Sequence, residues 1–409
     1  MKHSLIAAAL AIPLLAAAAQ ASQVTVRGHD ILVDGRPFPI RGAAADGRLA
    51  ALKALGATTV RTYGGDPGPV LSEAGRLGMK VIAGLWLEPP RRGFDYRNRA
   101  LVEAQLASFR AIVERYRNDG ALLAWGIGNE VEGELTDDSL VWPAIEKAAR
   151  LVKSLDPGHP TMAVVAEGAD GKAPKILRQA PSIDMLGVNS YGEALPSLPR
   201  RVRAAGWTGP IVVTELGALG QWQAGRTPWG AAIEPTSTEK AERIRRYLAA
   251  LKSDTAGEIL FFWGQKQEVT PTWHGLLLPG GEWLQASEAM AQAWGGRTPG
   301  GDRAPRIAAL TLRQGPVAAQ GRPIEAALDA ADPDGDRITV QWTVLAESTD
   351  LKKGGDAERV PPDHSGALRA AGVRGARIEG LPPGNYRIFA LVRDGRGAAA
   401  TANAPFQVR

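Results

Sequence analysis

Two glutamates close apolar runs of strand length in this chain. Leu122-Leu123-Ala124-Trp125-Gly126-Ile127-Gly128 leads into Asn129-Glu130, and Ile211-Val212-Val213-Thr214 leads into Glu215-Leu216-Gly217. A carboxylate directly after an apolar run has to face something polar. Either one alone reads as a surface carboxylate at a strand end. Two brought together across one cavity are what cleavage of a glycosidic bond needs. One must stay protonated to donate to the leaving oxygen, and the other must be ionised to attack the anomeric carbon. Their mutual repulsion, together with burial, pushes the two pKa values apart.

The elements that would bring them together are legible around them. After two short strands, Val24–Val26 and Ile31–Val33, and an Asp34-Gly35 turn, the sequence alternates. Strand-length runs occur at Phe38–Ile40, Thr58–Arg61, Lys80–Leu87, Leu123–Gly126, Thr161–Val165, Met185–Val188, Ile211–Thr214 and Ile259–Phe262. Amphipathic stretches between them include Arg48–Leu55, Val70–Leu77, Arg99–Tyr116, Ser139–Leu155, Thr238–Leu251 and Trp283–Trp294. Eight buried strands alternating with helices predict an α/β fold, a (β/α)8 TIM barrel, whose functional groups sit at the C-terminal ends of the strands. A doubly wound sheet is the competitor, but neither GxGxxG nor GxxxxGK[ST] follows the first strand.

From Gly295 the texture changes. GGRTPGGDRAP reads as a linker, and short alternating runs follow at Arg306–Leu312, Ile324–Leu328, Ile338–Leu345, Ala376–Ile378, Tyr386–Val392 and Ala404–Val408. Their spacing, with turns at Asp334-Gly335 and Pro383-Gly384-Asn385, predicts an immunoglobulin-like β-sandwich. The expected organisation is therefore a leader over 1–21, a barrel over 22–298 and a sandwich over 299–409, with an exposed hinge between two units that fold separately. DAADPDGD, carrying Asp329, Asp332, Asp334 and Asp336, fits either a calcium site or a solvated turn; it has no EF-hand spacing.

The leader reads MKHSLIAAALAIPLLAAAAQA: Lys2, an apolar stretch, then Ala19-Gln20-Ala21 as a cleavage signature. This predicts export to the periplasm or medium, with a mature chain starting at Ser22 and no membrane insertion after cleavage. The 409 residues contain no Cys, so disulfides, thiol nucleophiles and cysteine-ligated metals are excluded. The five His are scattered without ligand spacing, and no metal or organic cofactor is expected. A net charge of +5, spread along the chain, gives nucleic-acid binding little support.

The strings WGIGNE and VVTELG, with Arg61 ending the second run, resemble clan A glycoside hydrolases, the retaining barrel enzymes with catalytic glutamates after strands four and seven. VDGRPFPIRG is similar to the start of family 2 catalytic barrels, and LGATTVRTYG to the second strand of family 2 and β-1,3-glucan-active barrels. The resemblance implies Glu130 as acid/base and Glu215 as nucleophile. It implies that Arg61 hydrogen-bonds and charges the nucleophile, that Asn129 binds the sugar 2-hydroxyl, that Tyr191 orients the nucleophile and that Trp263 floors the sugar subsite. Trp86 replaces the His frequent at the third strand end and is a candidate stacking ring. The polar-aromatic stretch 265–275, with Trp273, is a candidate cleft lining. The implied activity is retaining cleavage of, or transfer through, a β-glycosidic bond of an oligosaccharide or polysaccharide, with a β-glucan suggested by VRTYG. The alternatives are a carbohydrate-binding or scaffold protein using the same cleft, and an adhesion module acting through the sandwich.

Overall fold

The computed structural model describes residues 22–409 apart from Asp46, Glu134 and Ser253; the expected leader lies outside the described residues. Eight parallel strands close into a barrel: β1 (Ile40–Ala45), β2 (Thr59–Arg61), β3 (Lys80–Leu85), β4 (Leu122–Ile127), β5 (Thr161–Val165), β6 (Met185–Tyr191), β7 (Ile211–Gly217) and β8 (Gly257–Trp263). β8 pairs back onto β1, which completes the ring. Among the described residues eight helices cover the outside: α1 (Leu49–Ala54), α2 (Gly68–Arg76), α3 (Arg99–Tyr116), α4 (Val141–Leu155), α5 (Ala169–Gln179), α6 (Leu198–Ala204), α7 (Ser237–Leu251) and α8 (Ala286–Trp294). Strands β4, β6 and β7 are buried along their whole length, as expected for a parallel sheet covered on both faces.

Side chains sort by strand alternation into two layers. Ile82, Leu123, Met162, Met185, Val212 and Ile259 fill the barrel interior. The opposite set, among them Val81, Trp125, Val213 and Leu260, packs under the helices. An antiparallel meander of Val24–Arg27, Asp30–Val33 and Arg36–Pro37 precedes the barrel, and its Val24 and Ile31 join the interior cluster. The first barrel strand runs over 40–45, so the Phe38–Ile40 run marks its entrance and not its body. The small residues Gly42-Ala43-Ala44-Ala45 hid it: they have little hydrophobic signal, yet they let β1 pack closely. A Cβ on Gly42 would sit 1.9 Å from the Thr59 carbonyl oxygen.

The C-terminal region is a two-sheet sandwich. One sheet holds β9 (Trp283–Leu284), β13 (Thr339–Ala346), β16 (Gly384–Arg393) and β17 (Ala398–Val408), with β11 (Val317–Ala318) on β17. The other holds β10 (Arg306–Leu312), β12 (Ile324–Ala331), β14 (Leu368–Gly372) and β15 (Gly375–Ile378). Ile324, Ala326, Leu328 and Ala330 of β12 alternate into a core shared with Trp342, Val344, Ile388 and Phe406. The helix expected over Trp283–Trp294 begins only at Ala286. Trp283 and Leu284 instead pair in parallel with Ala398 and Ala399 at the sandwich edge, a tertiary interaction that overrides local helical pattern.

That pairing also replaces the expected free hinge with a docked interface. Arg297 and residues 299–301 are exposed, but the two units are tied on several sides. Arg393 pairs with Glu282 at 2.6 Å, Arg387 donates to the Ala232 carbonyl at 2.8 Å, and Thr401 N donates to Ser237 Oγ at 2.9 Å. Leu278 and Leu284 pack with Ala399 and Leu391. In DAADPDGD, Asp332 Oδ1 accepts from the backbone N–H groups of Asp334 and Asp336, Arg303 pairs with Asp334, and Arg396 pairs with Asp336. The motif forms an ion-paired turn, and among the described residues no group of His, Asp and Glu is disposed to hold a metal ion. No described helix is long and apolar enough to cross a membrane.

Because burial at this interface includes Trp283 and Leu284, a chain cut to 22–298 should expose apolar surface. Relative to the intact chain it should unfold at a lower temperature and self-associate, read by circular dichroism and light scattering. A monomeric truncation with the same midpoint would make the docking energetically idle.

Candidate active site

The site assembles at the C-terminal ends of the barrel strands, around one buried cation. Arg61, at the end of β2, is 2% exposed. One terminal nitrogen donates to the Thr214 carbonyl at 2.7 Å, to Asn189 Oδ1 at 3.3 Å and to Glu215 Oε1 at 3.3 Å; the other donates to Asn129 Oδ1 at 2.6 Å. A buried guanidinium is tolerated only when paired and fully hydrogen-bonded, and these partners come from the ends of β4, β6 and β7.

Glu215 reaches this cation because β7 carries a bulge. Its register against β6 shifts between Val213 and Glu215. Thr214 Oγ1 therefore turns inward to Asn189 Oδ1 at 2.9 Å while the next residue, Glu215, also faces the cavity. Two tyrosines complete the carboxylate's surroundings: Tyr191 Oη donates to Oε2 at 2.6 Å and Tyr63 Oη to Oε1 at 2.8 Å. Burial, then the neighbouring Glu215 charge, pushes both phenols well above their usual range, so they donate as neutral hydroxyls. Gly217 makes room for this arrangement, since a Cβ there would lie 2.4 Å from the Tyr191 ring.

Glu130 is held differently. Gly128 takes φ 70° and Glu130 itself φ 48°, so the chain reverses sharply past Asn129. A left-handed Glu costs of order 1 kcal/mol and is a feature of sites more than of plain loops. Among the described residues its carboxylate has one side-chain donor, Asn189 Nδ2 at 2.8 Å, which also donates to Asn129 Oδ1 at 3.0 Å. Burial, followed by the Glu215 charge, raises the Glu130 pKa to about 7, against the opposing hydrogen bond from Asn189. Two carboxyl groups thus face one cleft in opposite conditions: Glu215 among a cation and two phenols, Glu130 desolvated with a single amide. That arrangement leaves Glu130 a carboxyl that keeps its proton near neutral pH, facing a second carboxylate held by a guanidinium and two hydroxyls.

The cleft has a volume of about 1300 Å³. Of the residues expected from sequence, Glu130, Glu215, Asn129, Tyr191 and Trp86 line it, and Arg61 lies behind Glu215. Trp86 is fixed by a 2.7 Å bond from its Nε1 to Glu88, with the Arg92 guanidinium 5.4 Å from its ring centre. Two expectations fail. Trp263, 2% exposed, packs with Leu260 beneath the helices and donates to the Arg48 carbonyl at 3.3 Å. The inward side of β8 is carried by Phe261, which lines the cleft. Trp273, 3% exposed, packs on Ala232 and Val269 and donates to the Leu219 carbonyl at 2.9 Å, so it braces a loop without reaching the cleft.

Sequence reading missed Tyr63 and Asn189. Each stands two residues from a residue that was identified, Arg61 and Tyr191, and strand alternation would have placed both on the cavity side. Behind Tyr191 lies His274, whose ring is 5.4 Å from that of Tyr191 and whose pKa burial lowers to about 4, leaving it neutral. Its Nε2–H points to Gln221 Oε1 at 3.2 Å, and Gln221 donates to Glu268 at 3.0 Å.

No protein-family model matches the chain. Among curated proteins, mannan endo-1,4-beta-mannosidase F of Aspergillus clavatus is 33% identical over 76 residues, and its namesake in Aspergillus fumigatus is 37% identical over 78. In each case the match covers 19% of this chain and 16% of the relative. Among solved structures, the Lactobacillus rhamnosus beta-glucuronidase aligns with TM-score 0.55 at 19% identity, over 67% of this chain and 52% of its own. Bacteroides uniformis beta-glucuronidase 2, covalently bound to cyclophellitol-6-carboxylate aziridine, aligns with TM-score 0.53 at 14% identity over 94% and 48%. This chain spans about half the length of those neighbours, and at such identities the likeness is one of fold.

Removing the central cation should be costly. Arg61→Met leaves Glu215, Asn129 and Asn189 without their shared donor, and a loss of about 3–5 kcal/mol is expected in urea denaturation. Tyr63→Phe, which keeps the ring, should cost about 1 kcal/mol. Equal effects of the two would show that the guanidinium does not organise the site. The closed eight-stranded barrel with its appended sandwich is the architecture that strand alternation and strand spacing predicted, and its barrel is the fold that the resemblance to clan A glycoside hydrolases implied and that the beta-glucuronidases above share.

Proposed function

We propose that this chain is an exported retaining glycoside hydrolase that cleaves β-glycosidic bonds, with Glu215 as nucleophile and Glu130 as acid/base. The observation that carries the proposal is the unequal environment of the two carboxyl groups facing one cleft. Glu215 attacks the anomeric carbon as Glu130 gives its proton to the departing oxygen. Glu130, now ionised, takes a proton from water, whose oxygen attacks the glycosyl–Glu215 ester and frees the nucleophile. A sugar hydroxyl in place of water gives transglycosylation. Tyr63 and Tyr191 hold the two oxygens of Glu215 so that one face of the carboxylate is aimed at the sugar. Among the described residues nothing accepts from Asn129 Nδ2, which leaves it for the sugar 2-hydroxyl; Trp86 and Phe261 offer rings to the C–H faces.

The glycan is proposed to be a β-glucan on the string Val60-Arg61-Thr62-Tyr63-Gly64. The mannanase relatives make β-mannan the rival, and a panel of aryl β-glycosides and oligosaccharides separates the two. A non-catalytic binding protein would have no use for an acid poised near neutral pH, which favours the enzyme reading.

Glu215→Ala should lose turnover by several orders of magnitude while folding normally. Azide should restore part of it and give the α-glycosyl azide, seen by proton NMR. Retained turnover would remove Glu215 from the chemistry. The pH profile carries a second expectation. Glu130 must be protonated in the free enzyme, so kcat/KM should be full below its pKa and fall as pH rises through about 7. A basic limb that stays in place in Glu130→Gln, assayed with a dinitrophenyl leaving group that needs no proton, would assign that limb to another group.

A further inference from the structure

The cleft is not built by the barrel alone. The sandwich segment 347–358, which follows β13, forms one wall of it: Ser348, Leu351 and Glu358 line the same cavity as Glu130 and Glu215. We propose that this segment is a binding wall for further sugar units, so that an oligosaccharide leaves the cleaved bond by running between the barrel rim and the sandwich. The inference rests on the glycosidase reading above and extends it to the sandwich.

Four observations support it. The wall is tied at both flanks. On the β3 side, Arg92 pairs with Asp356 at 2.6 Å and Arg91 donates to the Gly354 carbonyl at 3.2 Å. On the β8 side, Lys266 donates to the Gly355 carbonyl at 2.8 Å, and Val269 N donates to Glu358 Oε2 at 2.6 Å. The cleft, about 1300 Å³, exceeds the roughly 300–1,000 Å³ common for small-molecule pockets, which suits a chain of sugars better than one ring. Its lining includes two large apolar side chains left open, Trp222 of the loop after β7 at 56% exposure and Leu351 of the wall at 54%. Sugar C–H faces are the complement of such surfaces, and their hydroxyls are the complement of polar ones. Trp229 Nε1 on the barrel side and Ser348 Oγ on the sandwich side have no hydrogen-bond partner among the described residues, so each unit brings an unsatisfied group to the seam.

The test uses the full chain and two variants. Leu351→Ala trims the exposed apolar contact, and Asp356→Ala unties the wall from Arg92; circular dichroism checks that both fold. The probes are 4-nitrophenyl β-monoglycosides of glucose and mannose, and β-1,3-gluco-, β-1,4-gluco- and β-1,4-manno-oligosaccharides of increasing length. The quantity read is the ratio of kcat/KM for the longest cleaved oligosaccharide to that for the matching monoglycoside. That ratio should fall about tenfold in each variant, the size of one lost contact of about 1.4 kcal/mol. Turnover with an unchanged ratio in both folded variants would overturn this inference alone. No turnover of any glycoside by the intact chain would overturn the glycosidase reading and this inference with it.

Discussion

The site depends on a single buried positive charge. Arg61 sits where water does not reach, and its guanidinium is tolerable only because a carboxylate, two amide oxygens and a backbone carbonyl converge on it. Each of those partners is thereby fixed. Glu215 is held as the counter-charge. The Thr214 carbonyl is turned inward by the bulge in β7. The oxygens of Asn129 and Asn189 are committed to the cation, which sets the orientation of both amides and points Asn189 Nδ2 at Glu130. The position of the second carboxyl is thus a consequence of where the cation lies, two strands away.

From this constraint follows the chemical asymmetry. The two glutamates differ in their company, not in type. One has a cation and two neutral phenols; the other has apolar burial and one amide, and its pKa rises to about 7. Burial contributes most to that rise, with the Glu215 charge second, so the barrel mouth raises this pKa mainly by excluding water. The sandwich belongs to the same logic. Its docked segment 347–358 closes one side of the cleft, and its ties through Asp356, Gly354, Gly355 and Glu358 keep that side in place against the barrel rim.

Much of this was legible in the sequence, for a physical reason. Parallel strands buried on both faces must be continuous apolar runs, so β4 to β8 and the residues ending them stand out, as do Glu130, Glu215, Arg61 and Tyr191. What was not legible depends on geometry that alternation and packing set in three dimensions. A bulge in β8 between Leu260 and Trp263 leaves Trp263 on the outer face and gives the cleft to Phe261, so an aromatic at the expected position was the wrong one. Trp273 looked like cleft lining because it sits in a polar-aromatic loop, but its ring braces that loop from behind. The Ala-rich β1 and the two-residue β9 are too weakly apolar, or too short, to announce themselves. The linker at 295–305 read as a hinge because nothing in it reveals that Trp283 and Leu284, well before it, are paired with Ala398 and Ala399.

The central claim is that Glu215 becomes covalently linked to the sugar. A panel of 2,4-dinitrophenyl 2-deoxy-2-fluoro-β-glycosides, whose fluorine slows release of the intermediate, tests it directly by intact-protein mass spectrometry and peptide mapping. The account predicts one added fluoroglycosyl group, on the peptide containing Glu215, and none in Glu215→Gln. A glycosyl group mapped to any other residue, or hydrolysis of the parent glycoside with no trapped adduct from its fluorinated counterpart, would contradict it.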